Sequence, residues 1–165
     1  MIEFRKLTAD DSESLSVLIN EIESSIANKE WWLPINTESK IHFLDDDWGY
    51  FIGAFDDQKL IGASSLFFNE HEFGESLSYC DNVVCPVAEI GRSMVLPPYR
   101  GNNLLYRMNC ELLKVAKKHG IGTIIVTIHP NNMPSMNSFK KLGAVYKNTI
   151  TKYGSYLRNI YTISV

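Results

Sequence analysis

The stretch from Ala88 to Ile128 limits what this chain can fold into more than any other part of it. It opens with a strand-like run, "AEIGRSMVL", and passes through the turn "PPYRGNN" into a helix pattern. Leu105, Met108, Leu112, Val115 and Ala116 share one face of that helix. Lys117, Lys118 and His119 fill its last turn, where cations suit the helix dipole, and Gly120 ends it. "TIIVTI" follows, apolar on both faces as a buried parallel strand must be. A strand, a helix and a second buried strand in this order make a right-handed parallel crossover.

The flanks of this unit read as antiparallel. "IEFRKL" alternates as a first strand. Thr8 and Asp11 have capping-box spacing before a helix carried by Leu15, Leu18, Ile19, Ile22 and Ile26. "NKEWWLPINTESK" breaks that helix into a loop and a short second helix. "WGYFIGAF" and "LIGASSLFF" form a hairpin around "DDQK", and "EHEFGES" reads as a polar loop. After the crossover, Pro134 starts a short helix with Met136, Phe139 and Leu142 inward and Gly143 at its end. "AVYKNTIT" and "YLRNIYTISV" close the chain as an antiparallel pair. The expected fold is α+β, with a mixed, mostly antiparallel sheet of about seven strands, one parallel crossover and about four helices.

The 165 residues suit a single domain, 1–165, with a real core. A net charge of −3 is not the footprint of a nucleic-acid binder, and no apolar run reaches membrane-spanning length. Acidic residues interrupt "MIEFRKLTADD" before any apolar core, so it is no secretory leader, and a cytoplasmic protein is expected. Cys80, Cys85 and Cys110 make an odd count. The spacing in "CDNVVC" is poor zinc grammar, even with His71 in the same region, so buried thiols and no metal are expected.

The turn at 97–103 leaves a strand and opens a helix. The first helical N–H groups lack intrahelical partners, and the positive end of the dipole points at the turn. Arg100 adds a forked donor set, and Gly101 lets backbone approach a ligand. That suits a phosphate or pyrophosphate. The sequence contains neither G-x-x-x-x-G-K-[ST] nor G-x-G-x-x-G, which excludes the two common nucleotide loops.

"VLPPYRGNNL" and "NMPSMNSFKKLGA" resemble, in order and spacing, the two signatures of the GNAT superfamily of acyl-CoA-dependent N-acetyltransferases. Val95, Pro97, Tyr99, Arg100 and Gly101 match the first, R/Q-x-x-G-x-G/A within a longer V-x-P-x-Y-R-G run. Asn132, Lys141, Leu142 and Gly143 match the second, with Ser135 in place of Ala and Phe139 in place of Tyr. The resemblance implies acetyl transfer from acetyl-CoA to a primary amine by direct attack. It also implies cofactor contacts at Met94, Val95, Arg100, Gly101, Asn102, Asn103, Leu104, Leu105, Asn132, Ser135 and Phe139. The pyrophosphate would lie on the turn, pantetheine would run along the preceding strand, and N–H groups near Met94 and Val95 would face the oxyanion. Asn103 tolerates left-handed backbone and so can replace a motif glycine. Leu105 stands where a small residue is usual, and its helical face suggests that it tilts into the core.

Glu89 is the first candidate for the catalytic base, because a carboxylate beside a cofactor cleft can be desolvated into the neutral range. His129 and Asp81 are rivals, His129 because it titrates near neutrality without tuning. The usual acid position is Phe139, which donates no proton, so water, Ser135 or Ser138 would have to protonate the thiolate. Trp31 and Trp32 are candidates for acceptor binding, and Glu21, Glu23, Asp45, Asp46 and Asp47 for steering a cationic amine. A small-molecule or peptide amine, a longer acyl group, a non-catalytic acyl-CoA sensor, and a monomer or homodimer all remain open.

Overall fold

The computed structural model describes residues 1–35 and 42–165. In chain order the elements are β1 (Ile2–Lys6), α1 (Ser12–Ser25), β2 (Gly49–Asp56), β3 (Lys59–Phe67), α2 (Glu70–Leu77) and β4 (Val87–Val95). They continue with α3 (Leu104–Lys118), β5 (Thr123–Ile128), α4 (Met133–Lys140), β6 (Val145–Lys152) and β7 (Tyr156–Ser164). The seven strands form one sheet in the order β1-β2-β3-β4-β5-β7-β6. Every pair is antiparallel except β4 with β5, joined by the crossover through α3.

Burial along almost the whole length of β2 and β3 requires cover on both faces of the sheet, and α1 and α3 supply it. Leu15, Leu18, Ile19 and Ile22 are the inward residues of α1, at the spacing the sequence shows. On α3 the inward residues are Leu104, Met108, Leu112 and Ala116. Leu105, expected to turn into the core, is instead half-buried: the helix begins one residue earlier than its apolar period suggests, and Leu104 takes the core position. α4 lies beside α3, with Met136 and Phe139 buried against the main core.

Three other expectations change. The segment read as a polar loop, "EHEFGES", is the helix α2. Asn69 caps it by accepting the His71 N–H at 3.0 Å, Glu70 and Glu72 sit in the first turn, and Phe73 is buried against Val87, Ile125 and Ile160. The short second helix expected in "NKEWWLPINTESK" is, within the described residues, a single 3₁₀ turn, Lys29–Trp31; residues 36–41 of that segment lie outside them. Cys85, expected to be a buried thiol, is exposed, while Cys80 and Cys110 are half-buried. Among the described residues no helix is long and apolar enough to cross a membrane.

Asp11 ties the first strand to the first helix. Its carboxylate accepts two N–H groups of Arg5, at 2.9 and 2.7 Å, and the Thr8 backbone N–H at 2.8 Å. These bonds, those from Arg5 first, pull its carboxyl down to about 2 against the cost of desolvation. A lowered pKa stabilises the fold above the ordinary carboxylate range, and that stability is lost as pH falls through about 2. Asp11→Ala is therefore expected to lower the unfolding free energy at pH 7 by about 1–3 kcal/mol in urea titrations. The gap between variant and parent should close as pH falls from 4 toward 2; a gap that is constant over that range contradicts this role.

Candidate active site

The site forms where β4 and β5 separate. The two strands pair for three residues only, Val87 with Thr123, Ala88 with Ile124 and Glu89 with Ile125, although β4 continues to Val95 and β5 to Ile128. On its other edge β4 stays paired with β3 as far as Val95. The β3–β4 ladder slips by one residue between Ser65–Gly91 and Ala63–Met94, and Arg92 sits in that slip with φ of 52°. A bulge of this kind bends its strand and re-aims side chains. Ser93 and Ser64 are hydrogen-bonded at 2.7 Å, and the Ser64 hydroxyl donates to Asn109 of α3, also at 2.7 Å. This buried polar chain fastens the bulge to the helix behind it.

Beyond the slip the strand shows two different edges. Leu96 N–H donates to Ile61 O of β3 at 2.9 Å, and the Met94 carbonyl is also turned toward β3, 3.0 Å from where a Cβ on Gly62 would stand. By alternation, Val95 N–H and C=O face the gap toward β5. Of the two amides expected at an oxyanion, Val95 is the one turned to the opening. The Val95 carbonyl accepts Arg100 Nε at 3.0 Å, which folds that side chain back over its own turn.

The turn after β4 is built to present backbone donors. Gly101 has φ of 82°, and a Cβ there would meet nothing within 4 Å. Asn103 is left-handed, with φ 57° and ψ 21°, and it caps α3. The N–H groups of Gly101, Asn102 and Asn103 donate to no backbone carbonyl, and the first turn of α3 adds its own unpaired donors. Lys141 Nζ reaches the same turn, 3.2 Å from Asn103 Oδ1. Such a concavity fits a pyrophosphate. Leu104 contributes only its N–H, because its side chain is buried in the core.

A cleft enclosing about 120 Å³ passes through the gap between the strands. On the α3–α4 side Asn132, Ser135 and Phe139 wall it, and on the α2 side Trp31, Trp32, Glu72, Glu89, Tyr153 and Arg158. Asn132 caps α4 by accepting the Ser135 N–H at 3.3 Å. Phe139 is 2% exposed and belongs to the core as much as to the cleft. Both tryptophans line the opening. The Trp32 Nε1–H donates to Glu23 at 3.2 Å, whereas the buried Trp31 Nε1 has no partner among the described residues.

Glu89 sits where the strands part. It is 6% exposed, and its buried Oε2 has no hydrogen bond among the described residues. Desolvation pushes its carboxyl up to about 8; Lys152 pulls it down, Glu72 pushes it up further, and Arg92 pulls it down. His129 is also in the cleft, but both of its nitrogens are occupied. Nδ1 accepts the Asn131 N–H at 3.1 Å, which leaves the proton on Nε2, 3.3 Å from Glu30. Asp81 is elsewhere, exposed and paired with Lys147 at 3.2 Å.

The acids expected to steer an amine do not line the cleft. Glu23 holds Trp32 and the Ile35 N–H, Asp46 pairs with Lys6 at 2.8 Å, Glu21 lies 3.8 Å from Lys59, and Asp45 accepts the Asp47 N–H. The site residues without a signal in the motifs are cationic, Arg92 and Arg158; Lys141, a match to the second signature, reaches the turn as well. For Arg158 a signal exists, since it shares the strand parity of the inward Ile160 and Thr162. Among the described residues no group of three His, Cys, Asp or Glu side chains is placed to hold a metal.

Residues 14–144 match the model of the acetyltransferase (GNAT) family. No curated protein sequence matches the chain. Solved structures share its fold. The PaiA N-acetyltransferase of Thermoplasma acidophilum, in complex with coenzyme A, is 22% identical with a TM-score of 0.69, over 100% of this chain and 99% of that one. The ribosomal-protein-S18-alanine N-acetyltransferase of Escherichia coli is 13% identical with a TM-score of 0.75, over 100% and 94%. Arabidopsis thaliana NAA60, in complex with a bisubstrate analogue, is 14% identical with a TM-score of 0.77, over 100% and 99%.

The raised carboxyl of Glu89 predicts a pH signature in stability. The group is neutral in the fold and ionised in the unfolded chain between the ordinary carboxylate range and about 8. Its contribution is therefore fully present at low pH and declines as pH rises through that window. Glu89→Gln removes the dependence. Relative to the parent, its melting temperature should rise from pH 5 to about pH 8 and then level off; a difference independent of pH would show that Glu89 is ionised in the folded protein.

Proposed function

We propose that this chain, which belongs to the acetyltransferase (GNAT) family, moves an acetyl group from acetyl-CoA to a primary amine by direct transfer, with Glu89 as the base. The observation that carries the reading is the unpaired run of β4 that ends in a donor-rich turn, with a desolvated carboxylate where the strands part. Acetyl-CoA supplies an activated thioester.

The chain's own residues account for the rest. The turn at Gly101–Asn103 and the start of α3 hold the pyrophosphate through backbone N–H groups, with Arg100 and Lys141 adding charge. The edge of β4 pairs with the amides of the pantetheine arm, and Val95 N–H stabilises charge on the carbonyl oxygen. Asn132, Ser135 and Phe139 wall the cofactor side. Leu105, half-exposed beside the turn, is positioned against the cofactor and not in the core. Glu89, as carboxylate, takes the proton that the amine loses as its nitrogen bonds to the carbonyl carbon and the carbon–sulfur bond breaks. The thiolate leaves without help from Phe139, so solvent or the Ser135 hydroxyl protonates it. Trp31 and Trp32 flank the acceptor entrance.

Thiol release from acetyl-CoA, followed against pH with a panel of amines, tests this. The parent should gain turnover with a limb centred at about 8, where Glu89 ionises. Glu89→Gln should lose that limb and about 10²-fold or more in kcat. A variant that keeps the limb and the parent's turnover at pH 8.5 would remove Glu89 from the base role.

A further inference from the structure

The acceptor half of the cleft holds two guanidinium groups for which the fold itself gives little counter-charge. Arg158, on β7, is 5% exposed and lines the cleft. Its Nη1 donates to the Leu157 carbonyl at 2.8 Å, and its guanidinium carbon lies 5.2 Å from the centre of the Tyr156 ring. Arg92, at the bulge of β4, gives one N–H to the Leu33 carbonyl at 2.9 Å. A guanidinium carries five N–H donors, so roughly four remain on each. Among the described residues, neither arginine has a carboxylate within ion-pair distance. A charge this deeply buried normally has a partner.

None of the nearby carboxylates forms an ion pair with either guanidinium among the described residues. Glu30 is 3.3 Å from His129 Nε2 and is 72% exposed. Burial holds Glu89 largely neutral at pH 7. Burial is the main cause that pulls the Arg158 guanidinium below its ordinary range; Tyr153, Tyr156 and Glu30 oppose it, and the charge of Arg92 adds a smaller push in the same direction as burial. An anion between them would relieve both the desolvation and the repulsion, and a planar carboxylate fits the fork of a guanidinium in bidentate fashion.

We infer that Arg158 and Arg92 form a carboxylate subsite in the acceptor half of the cleft, and that the acceptor is a small amino carboxylate whose amine reaches Glu89. Both arginines and Glu89 line the same cleft, which is open to solvent on one side. An acceptor that meets the arginines and Glu89 in one cleft carries both a carboxylate and an amine, as an α-amino acid does, whereas a polyamine leaves both guanidiniums without a counter-ion. The inference rests on the acetyl-transfer reading of the same cleft.

The test is thiol release from acetyl-CoA with matched acceptors: L-alanine, L-methionine and L-phenylalanine, each against its amide and its decarboxylated amine. Taurine and O-phosphoethanolamine are added as amines with other anions. At least one amino acid should exceed its amide by tenfold or more in kcat/KM. In Arg158→Gln that ratio should fall toward one, chiefly through a higher KM, and Arg158→Lys should restore part of it. Amides or simple amines that match their amino acids overturn the subsite while leaving acetyl transfer intact. Preference for taurine or O-phosphoethanolamine overturns the carboxylate in favour of a sulfonate or phosphate. If no amine releases thiol, the acetyl-transfer reading itself fails. The subsite is then judged by melting of the CoA-loaded parent with each amino acid and amide at 10 mM (about a saturating level for a weak site). Stabilisation by amino acids alone supports it, and equal or no stabilisation rejects it.

Discussion

The structure depends on an edge that the sheet does not close. β4 enters the crossover as a buried strand, and after Glu89 it loses β5 while keeping β3. Backbone N–H and C=O groups at the middle of a sheet need partners. Leaving them open is tolerable only where water or a ligand reaches them, and here a cleft runs through the opening. The slip at Arg92 turns the strand, and the Ser93–Ser64–Asn109 chain holds the turned strand against α3. A non-glycine residue at positive φ is uncommon in a strand and costs conformational energy. The fold retains it where the side chain is delivered into the cleft.

The same opening sets the electrostatics. Glu89 is the last paired residue before the strands part, so its carboxyl is flanked by protein yet borders the cleft. Burial raises its pKa more than Lys152 and Arg92 lower it. Lys152 is almost fully buried, with Nζ donating to Ser76 of α2 at 2.7 Å. Its charge keeps Glu89 from being pushed further out of the range in which it can exchange a proton near neutral pH. The turn after β4, by contrast, presents backbone donors, and a motif with asparagine at a glycine position keeps its shape because Asn103 adopts the left-handed conformation itself.

Much of this was legible in the sequence, for identifiable reasons. The crossover showed because α3 is strongly periodic and β5 is apolar on both faces. The turn showed because Arg100, Gly101 and the flanking prolines are local signals. Four features were hidden. α2 has only Phe73 and Leu77 as apolar anchors and carries Gly74 in its interior, so its capping residue Asn69 was its clearest mark. Leu104 and Leu105 are adjacent, and periodicity alone does not say which of two neighbouring leucines faces the core. Arg92 and Arg158 belong to strands far apart in sequence and meet only through the order β4-β5-β7. The acids that looked like a steering field are held by Lys6, Lys59, Trp32 and backbone N–H groups, contacts that composition does not reveal.

The central claim is that the open edge of β4 and the turn after it are a coenzyme A site. Hydrogen exchange of individual backbone amides, with and without coenzyme A, measures this directly. The account predicts that Val95 and the amides of Gly101 to Leu105 slow markedly when coenzyme A is added, while Leu96, already bonded to β3, changes little. Unchanged exchange at Val95 and throughout the turn, at coenzyme A concentrations in the millimolar range (about the weak limit for a metabolic ligand), would contradict it.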